Sequence, residues 1–200
     1  MKFRSVMFCV VAIAAGLVST FWINRGCALA NPNSSPGTAN FFSGIEEDVF
    51  IPVEIAKPAP ALGKGTWINS SSLSIDGLRG QVILIEFWTF GCYNCRNTLP
   101  AIKRWDERYR GKGLTVIGVH TPETNPEKEL EEVRNETSRL GIRYPVVTDN
   151  SHTTWRKYGV QAWPTIIVLD KQGRIRWTHV GEGSYDNTEN VIQKLIREKI

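Results

Sequence analysis

Cys92 and Cys95, separated by two residues, are the side chains best placed to do chemistry in this sequence. They sit in Phe87-Trp88-Thr89-Phe90-Gly91-Cys92-Tyr93-Asn94-Cys95, where an apolar run of strand length gives way to a helical pattern. A cysteine at a helix N-terminus meets unpaired backbone N–H groups and the positive end of the helix dipole, and both stabilise a thiolate. One helical turn brings the second thiol to the first. Cys92 is then the attacking nucleophile and Cys95 the resolving thiol, which breaks a mixed disulfide and releases the product. Tyr93 and Asn94 lie between them at the substrate side and tune the potential. A structural zinc site needs about four ligands, but no second such pair exists and His120, His152 and His179 are scattered. A c-type haem needs His directly after the second cysteine; Arg96 stands there. A purely structural pair is the remaining alternative, although so short a loop removes little unfolded-chain entropy.

Glu86 is the second candidate. It interrupts the apolar run Val82 to Trp88 six residues before Cys92. If that strand is buried, the carboxyl is desolvated and its pKa rises; the plain alternative is an acid on a solvent-facing strand. Trp88 is expected beneath the disulfide. His120 reads as a loop histidine at a strand end near the active-site edge, and Arg96 as an exposed helix residue.

The elements that must position these residues follow from periodicity and punctuation. Trp67 to Ile75 reads as a short hairpin, with Asp76-Gly77 a turn signal. Strands are expected over Val82–Trp88, Leu114–Val119, Tyr144–Thr148, Thr165–Leu169 and Arg174–Val180. Helices are expected over Tyr93–Arg110, from Asn125-Pro126 to Leu140, near Ser151–Tyr158 and over Asn187–Lys199. Glu127 and Glu129 read as first-turn acids of the second helix, and Asp186 with Glu189 as a capping box for the last. Strands alternating with helices predict an α/β fold, and the closing hairpin makes its sheet mixed.

The chain has 200 residues and a formal charge of +4, from 24 basic and 20 acidic residues. Lys2, Arg4 and Arg25 contribute most of that excess, so no basic patch of the kind that binds nucleic acid remains. Two bases, the apolar run Val6 to Ile23 and the small residues Ala28-Leu29-Ala30 predict that residues 1–30 form a signal peptide or an N-terminal membrane anchor. Residues 31–65 are rich in Pro and Gly and read as a linker or arm, with Phe41, Phe42, Val49 and Phe50 able to dock. Residues 66–200 form the domain. An exported chain whose other cysteines, Cys9 and Cys27, lie in the leader is not using the remaining close pair as a staple.

Strand, Phe87-Trp88, the Cys92–Cys95 spacing and then a helix with Pro100 inside it resemble the thioredoxin superfamily over roughly residues 60–199. The extra segment from Thr121 to about Asn150 is similar to the central helix–strand insert of the TlpA-like and redoxin branch. Trp67-Ile68-Asn69-Ser70, Gly77-Leu78-Arg79-Gly80 and Gly118-Val119-His120-Thr121-Pro122-Glu123 resemble the thioredoxin-like domain of DipZ-type proteins. The resemblance implies a thioredoxin-like fold and no prosthetic cofactor, since the Cys92–Cys95 pair carries the electrons. It implies that Tyr158-Gly159-Val160 and Trp163-Pro164-Thr165 carry a cis-proline at Pro164 beside the thiols, with the Trp163 backbone and Thr165 meeting substrate. It implies that Glu86 moves protons for Cys95, with Glu where thioredoxins have Asp. The implied function is an exported thiol–disulfide oxidoreductase acting on cysteines of other extracytoplasmic proteins. The direction implied is reduction, in cytochrome c maturation or disulfide repair, fed by a separate membrane electron donor. A DsbA-like oxidant is the other outcome of the same chemistry. A copper metallochaperone would use CxxxC plus a distal His, and a peroxiredoxin-like peroxidase would need a proline upstream of Thr89; neither pattern is present.

Overall fold

The computed structural model describes residues 47–199. Leader, cleavage site and the docking expected of Phe41 and Phe42 lie outside them. The strands are β1 (Trp67–Ile68), β2 (Val82–Trp88), β3 (Leu114–His120), β4 (Val146–Thr148), β5 (Thr165–Leu169) and β6 (Ile175–Val180). The helices are α1 (Tyr93–Tyr109), α2 (Leu130–Arg139), α3 (Thr153–Lys157) and α4 (Tyr185–Arg197). One six-stranded sheet runs in the order β1-β4-β3-β2-β5-β6. β2, β3 and β4 are parallel; β1, β5 and β6 join antiparallel. The mixed sheet is thus the one the alternation of patterns predicts.

Every residue of β2 is buried, because helices cover both faces of the sheet. The period of two divides it cleanly. Val82, Leu84 and Trp88 join the core formed with Leu99, Ile102 and Trp105 of α1 and Val191, Ile192 and Leu195 of α4. Ile83, Ile85 and Phe87 join the opposite core with Ile117, Val119, Tyr158 and Val160. Cys95 belongs to the first core, so even-numbered Glu86 points to the side of the sheet where the Cys95 sulfur is buried.

Three local expectations are corrected. The hairpin over Trp67–Ile75 is instead the two-residue edge strand β1, whose partner is Val146–Val147 of distant β4. Asn125-Pro126 opens only one 3-10 turn, Pro126–Lys128; Glu129 is extended (ψ 115°) and α2 starts at Leu130. The capping box of the last helix does not form. Its N-cap is Ser184, and Glu189 reaches α1 instead. Residues 47–65 pack on the domain. Phe50 lies under the Arg176 guanidinium and Lys194, while Val49 faces solvent.

Candidate active site

Cys92 is the N-cap of α1, in extended conformation (φ −70°, ψ 120°), and its Sγ accepts the Cys95 backbone N–H at 3.1 Å. This is the placement that offers a thiolate an orphan helix donor. Cys92 and Cys95 are joined as a disulfide, with Cα atoms 5.3 Å apart. Their exposures differ: Cys92 is half-buried and Cys95 is 0 % exposed. Of the two, only Cys92 is open to another protein's sulfur. Tyr93 (75 % exposed) and Asn94 stand at the surface between them. Arg96 is exposed and donates through Nε to the Phe90 carbonyl at 2.8 Å.

Glu86 lies in β2 on the side of the sheet that carries Cys95, 0 % exposed. Burial raises its pKa to about 7, against the opposing effect of the Tyr144 hydroxyl, which donates to Oε2 at 2.8 Å. Oε1 has no hydrogen-bond partner among the described residues. A carboxyl poised near neutrality can take or give a proton at physiological pH. Gly118, directly opposite Glu86 in the parallel register, keeps this pocket open. A Cβ there would stand 2.8 Å from Trp88 Nε1 and 3.2 Å from Tyr144 Cε2. Tyr144 was expected only as a strand residue. What brings it to Glu86 is the pairing of β4 beside β3, which local sequence does not carry.

The Trp163–Pro164 peptide is cis. The Pro164 carbonyl accepts Gly181 N–H at 2.8 Å, and Thr165 Oγ1 donates to Ala162 O at 2.8 Å. Trp163 is half-buried, its indole donating to Thr121 O at 3.1 Å and packing on Trp155 with ring centres 4.3 Å apart. Trp163 and Cys92 both lie over the core that holds Cys95.

Comparison with known proteins agrees with this geometry. The AhpC/TSA family pattern matches residues 55–178. The chain belongs to the AhpC/TSA family. It is 37% identical over 150 residues to protein DipZ of Mycobacterium bovis, covering 73% of this chain but 22% of DipZ. The chain therefore spans under a quarter of that relative. It is 25% identical over 143 residues to thiol-disulfide oxidoreductase ResA of Bacillus anthracis, covering 72% of this chain and 79% of ResA. The crystal structure of a thioredoxin-like superfamily protein superposes with a TM-score of 0.68 at 25% identity, covering 72% of this chain and 99% of that one. The fold is thioredoxin-like, in the redoxin branch of that superfamily.

Two further residues of this AhpC/TSA chain meet the Cys92 turn: His120, which the sequence put at a strand end near the active-site edge, and Glu127, which it did not place at the site. His120 is no loop histidine. It is 0 % exposed, stacked on Phe90 and edge-on to Trp88, with Nε2 3.2 Å from Thr89 Oγ1. Burial lowers its pKa to about 4, against the attraction of Glu127, so its imidazole is neutral at pH 7. Glu127 is not a first-turn acid of α2; it lies in the 3-10 turn before that helix and is 3 % exposed. Oε1 accepts Gly91 N–H at 3.0 Å, and Oε2 accepts Glu123 N–H at 2.7 Å and Thr124 N–H at 2.8 Å. Burial pushes its carboxyl up, but these donors and the Thr89 hydroxyl outweigh that and hold it below its ordinary value. The only local signal was Pro126 before it, which marked the turn and not the direction of the side chain.

Proposed function

We propose that this chain is an extracytoplasmic thiol–disulfide oxidoreductase that reduces disulfides in other exported proteins, with Cys92 as nucleophile, Cys95 as resolving thiol and Glu86 as proton relay. The observation that carries the reading is the reachable Cys92 at the start of α1 beside the fully buried Cys95, on the side of the sheet that buries Glu86. In the reducing direction the Cys92 thiolate attacks a substrate disulfide. A Cys92–substrate disulfide forms, and the departing substrate sulfur leaves as a thiolate and takes a proton. Glu86 accepts the Cys95 proton, and the Cys95 thiolate attacks Cys92 Sγ. The Cys92–Cys95 disulfide forms and the second substrate sulfur leaves as a thiolate that is protonated in turn. Two electrons pass from the pair to the substrate.

Trp163 and Pro164 are assigned to the surface that receives the substrate segment, with the exposed Tyr93 and Asn94 beside Cys92; Thr165, expected there too, is 2 % exposed with its hydroxyl on Ala162 O and holds the turn instead. A membrane-bound dithiol donor would restore the reduced pair. Export rests on the basic and apolar composition of residues 1–30. The name of the ResA relative supports the reaction class.

The deciding experiment is an equilibrium titration of Cys92–Cys95 in dithiothreitol or glutathione buffers, read by alkylation and mass. A potential at the thioredoxin end, about −270 mV, is expected; one near the DsbA end, about −120 mV, would make the chain an oxidant. A pair that forms no reversible disulfide would end the redox reading.

A further inference from the structure

Glu127 joins two segments that are far apart in sequence. Its carboxylate gathers the loop after β3 through the N–H groups of Glu123 and Thr124, and reaches across to the N–H of Gly91, the residue before Cys92. Such saturation by donors keeps a buried carboxylate ionised. The approach also depends on position 91 being glycine. A Cβ there would collide with Glu127 Oε1, although the Gly91 backbone is not in the left-handed region that demands glycine.

We propose that Glu127 is a positioning residue of the thiol pair, clamping the Cys92 turn to the β3 loop and holding a fixed negative charge behind Cys92. The proposal rests on the thiol-exchange reading given above. The other charged and titratable groups around the turn do not cancel it. His120 is neutral, Arg96 is exposed and bonded to the Phe90 carbonyl, and Glu182 is bonded to Asn97 Nδ2 at 3.0 Å on the outer face of α1. Glu86 lies below in the sheet, and Tyr93 is at the surface.

The sign follows from Coulomb's law. A carboxylate near a thiol disfavours the thiolate. Destabilising the thiolate destabilises the reduced pair relative to the disulfide, so electrons leave more readily. Glu127 thereby biases the couple toward donation and opposes the helix N-terminus, which favours thiolate.

The test compares reduced wild type, Glu127→Gln, Gly91→Ala and the double variant. The Cys92 thiol pKa is read from the pH dependence of iodoacetamide alkylation, and the equilibrium constant from glutathione buffers. Glu127→Gln should raise the thiolate fraction below the pKa by about three- to tenfold and, in buffers above the thiol pKa where the thiolate prevails, shift the equilibrium toward the reduced pair by a similar factor; tenfold corresponds to about 30 mV. Gly91→Ala should act in the same direction by displacing the carboxylate. The double variant should go no further than Glu127→Gln, because no charge remains to displace. Glu129→Gln, exposed on the same segment, should move neither reading. A Glu127→Gln protein with the wild-type alkylation profile and equilibrium constant would overturn the proposal. If that variant does not fold, an unshifted Gly91→Ala would do so. A wild-type potential at the oxidant end overturns the reductant direction, while a downward pKa shift in Glu127→Gln upholds Glu127 in either case. A wild type without a reversible disulfide overturns both.

Discussion

Glu86 carries two consequences that its burial makes measurable. Its ordinary pKa of 4.5 rises to about 7 in the fold, chiefly through desolvation. As a base for Cys95 it is ionised only above that value, so the rate of mixed-disulfide resolution should climb as pH rises through about 7. Glu86→Gln should remove that rise, measured by stopped-flow with a model peptide disulfide; an unchanged profile would remove Glu86 from the mechanism. The same shift affects stability with the opposite sense. The protonated carboxyl suits the native state, so its contribution is fully present below the unfolded pKa and is lost as pH rises through the folded one. At pH 8 Glu86→Gln should therefore be more stable than wild type by about 3 kcal/mol, the rounded equivalent of the shift. At pH 4 the two should be nearly equal. Urea titrations at the two pH values check the sign. Sequence alone made Glu86 visible, as one acid in an apolar strand. Tyr144 and Glu127 stayed hidden, because an aromatic in a strand and an acid beside proline are ordinary in their local settings.

At the scale of elements, the site depends on how α1 is held over the sheet. Glu189 of α4 accepts Tyr109 Oη at 2.6 Å, Arg108 Nη1 at 2.7 Å and Trp105 Nε1 at 3.2 Å, all from α1. These bonds lie at the C-terminal end of α1, away from the thiols. Glu189→Ala leaves the partly buried indole and phenol donors unpaired and should cost about 2 kcal/mol. The denaturant midpoint should fall with m unchanged, and the potential of Cys92–Cys95 should stay where it was. A changed potential would mean that the two ends of α1 are mechanically coupled. The reading of Glu189 as half of a capping box failed for a physical reason. Asp186, three positions before Glu189, lies inside α4's first turn and is not its N-cap; the N-cap is Ser184 in left-handed conformation (φ 49°), which makes no side-chain bond, and Glu189 accepts from α1 across the helix interface.

At the scale of the whole domain, β6 is the last strand of the sheet, and an open edge invites pairing with another chain. Residues 48–59 cover it. Asp48 and Ile51 donate backbone N–H groups to Thr178 and Arg176 carbonyls, Ile175 N–H goes to Lys57 O, and Ala59 N–H to Gly173 O, each at 2.8 or 2.9 Å. Arg176, 2 % exposed, is held between this arm and the domain by Ile51 O, Asp170 and Glu198. Removing residues 1–60 should lower the thermal midpoint and produce concentration-dependent self-association, read by light scattering, with the Cys92–Cys95 potential unaltered. A monomer of wild-type stability would deny the arm this role. The order of strands and helices from β2 onward, the buried strand ahead of Cys92 and the start of α1 were legible in the sequence, because hydrophobic period and turn residues act within a few positions of themselves. The β1–β4 pairing, the docking of residues 48–59 on β6, the Tyr144 bond to Glu86 and the Glu127 clamp on Gly91 were decided only by the tertiary structure. Each joins residues brought together by sheet order and packing, and the free energy that selects such contacts resides in burial and donor satisfaction across the whole fold, not in any local stretch of sequence.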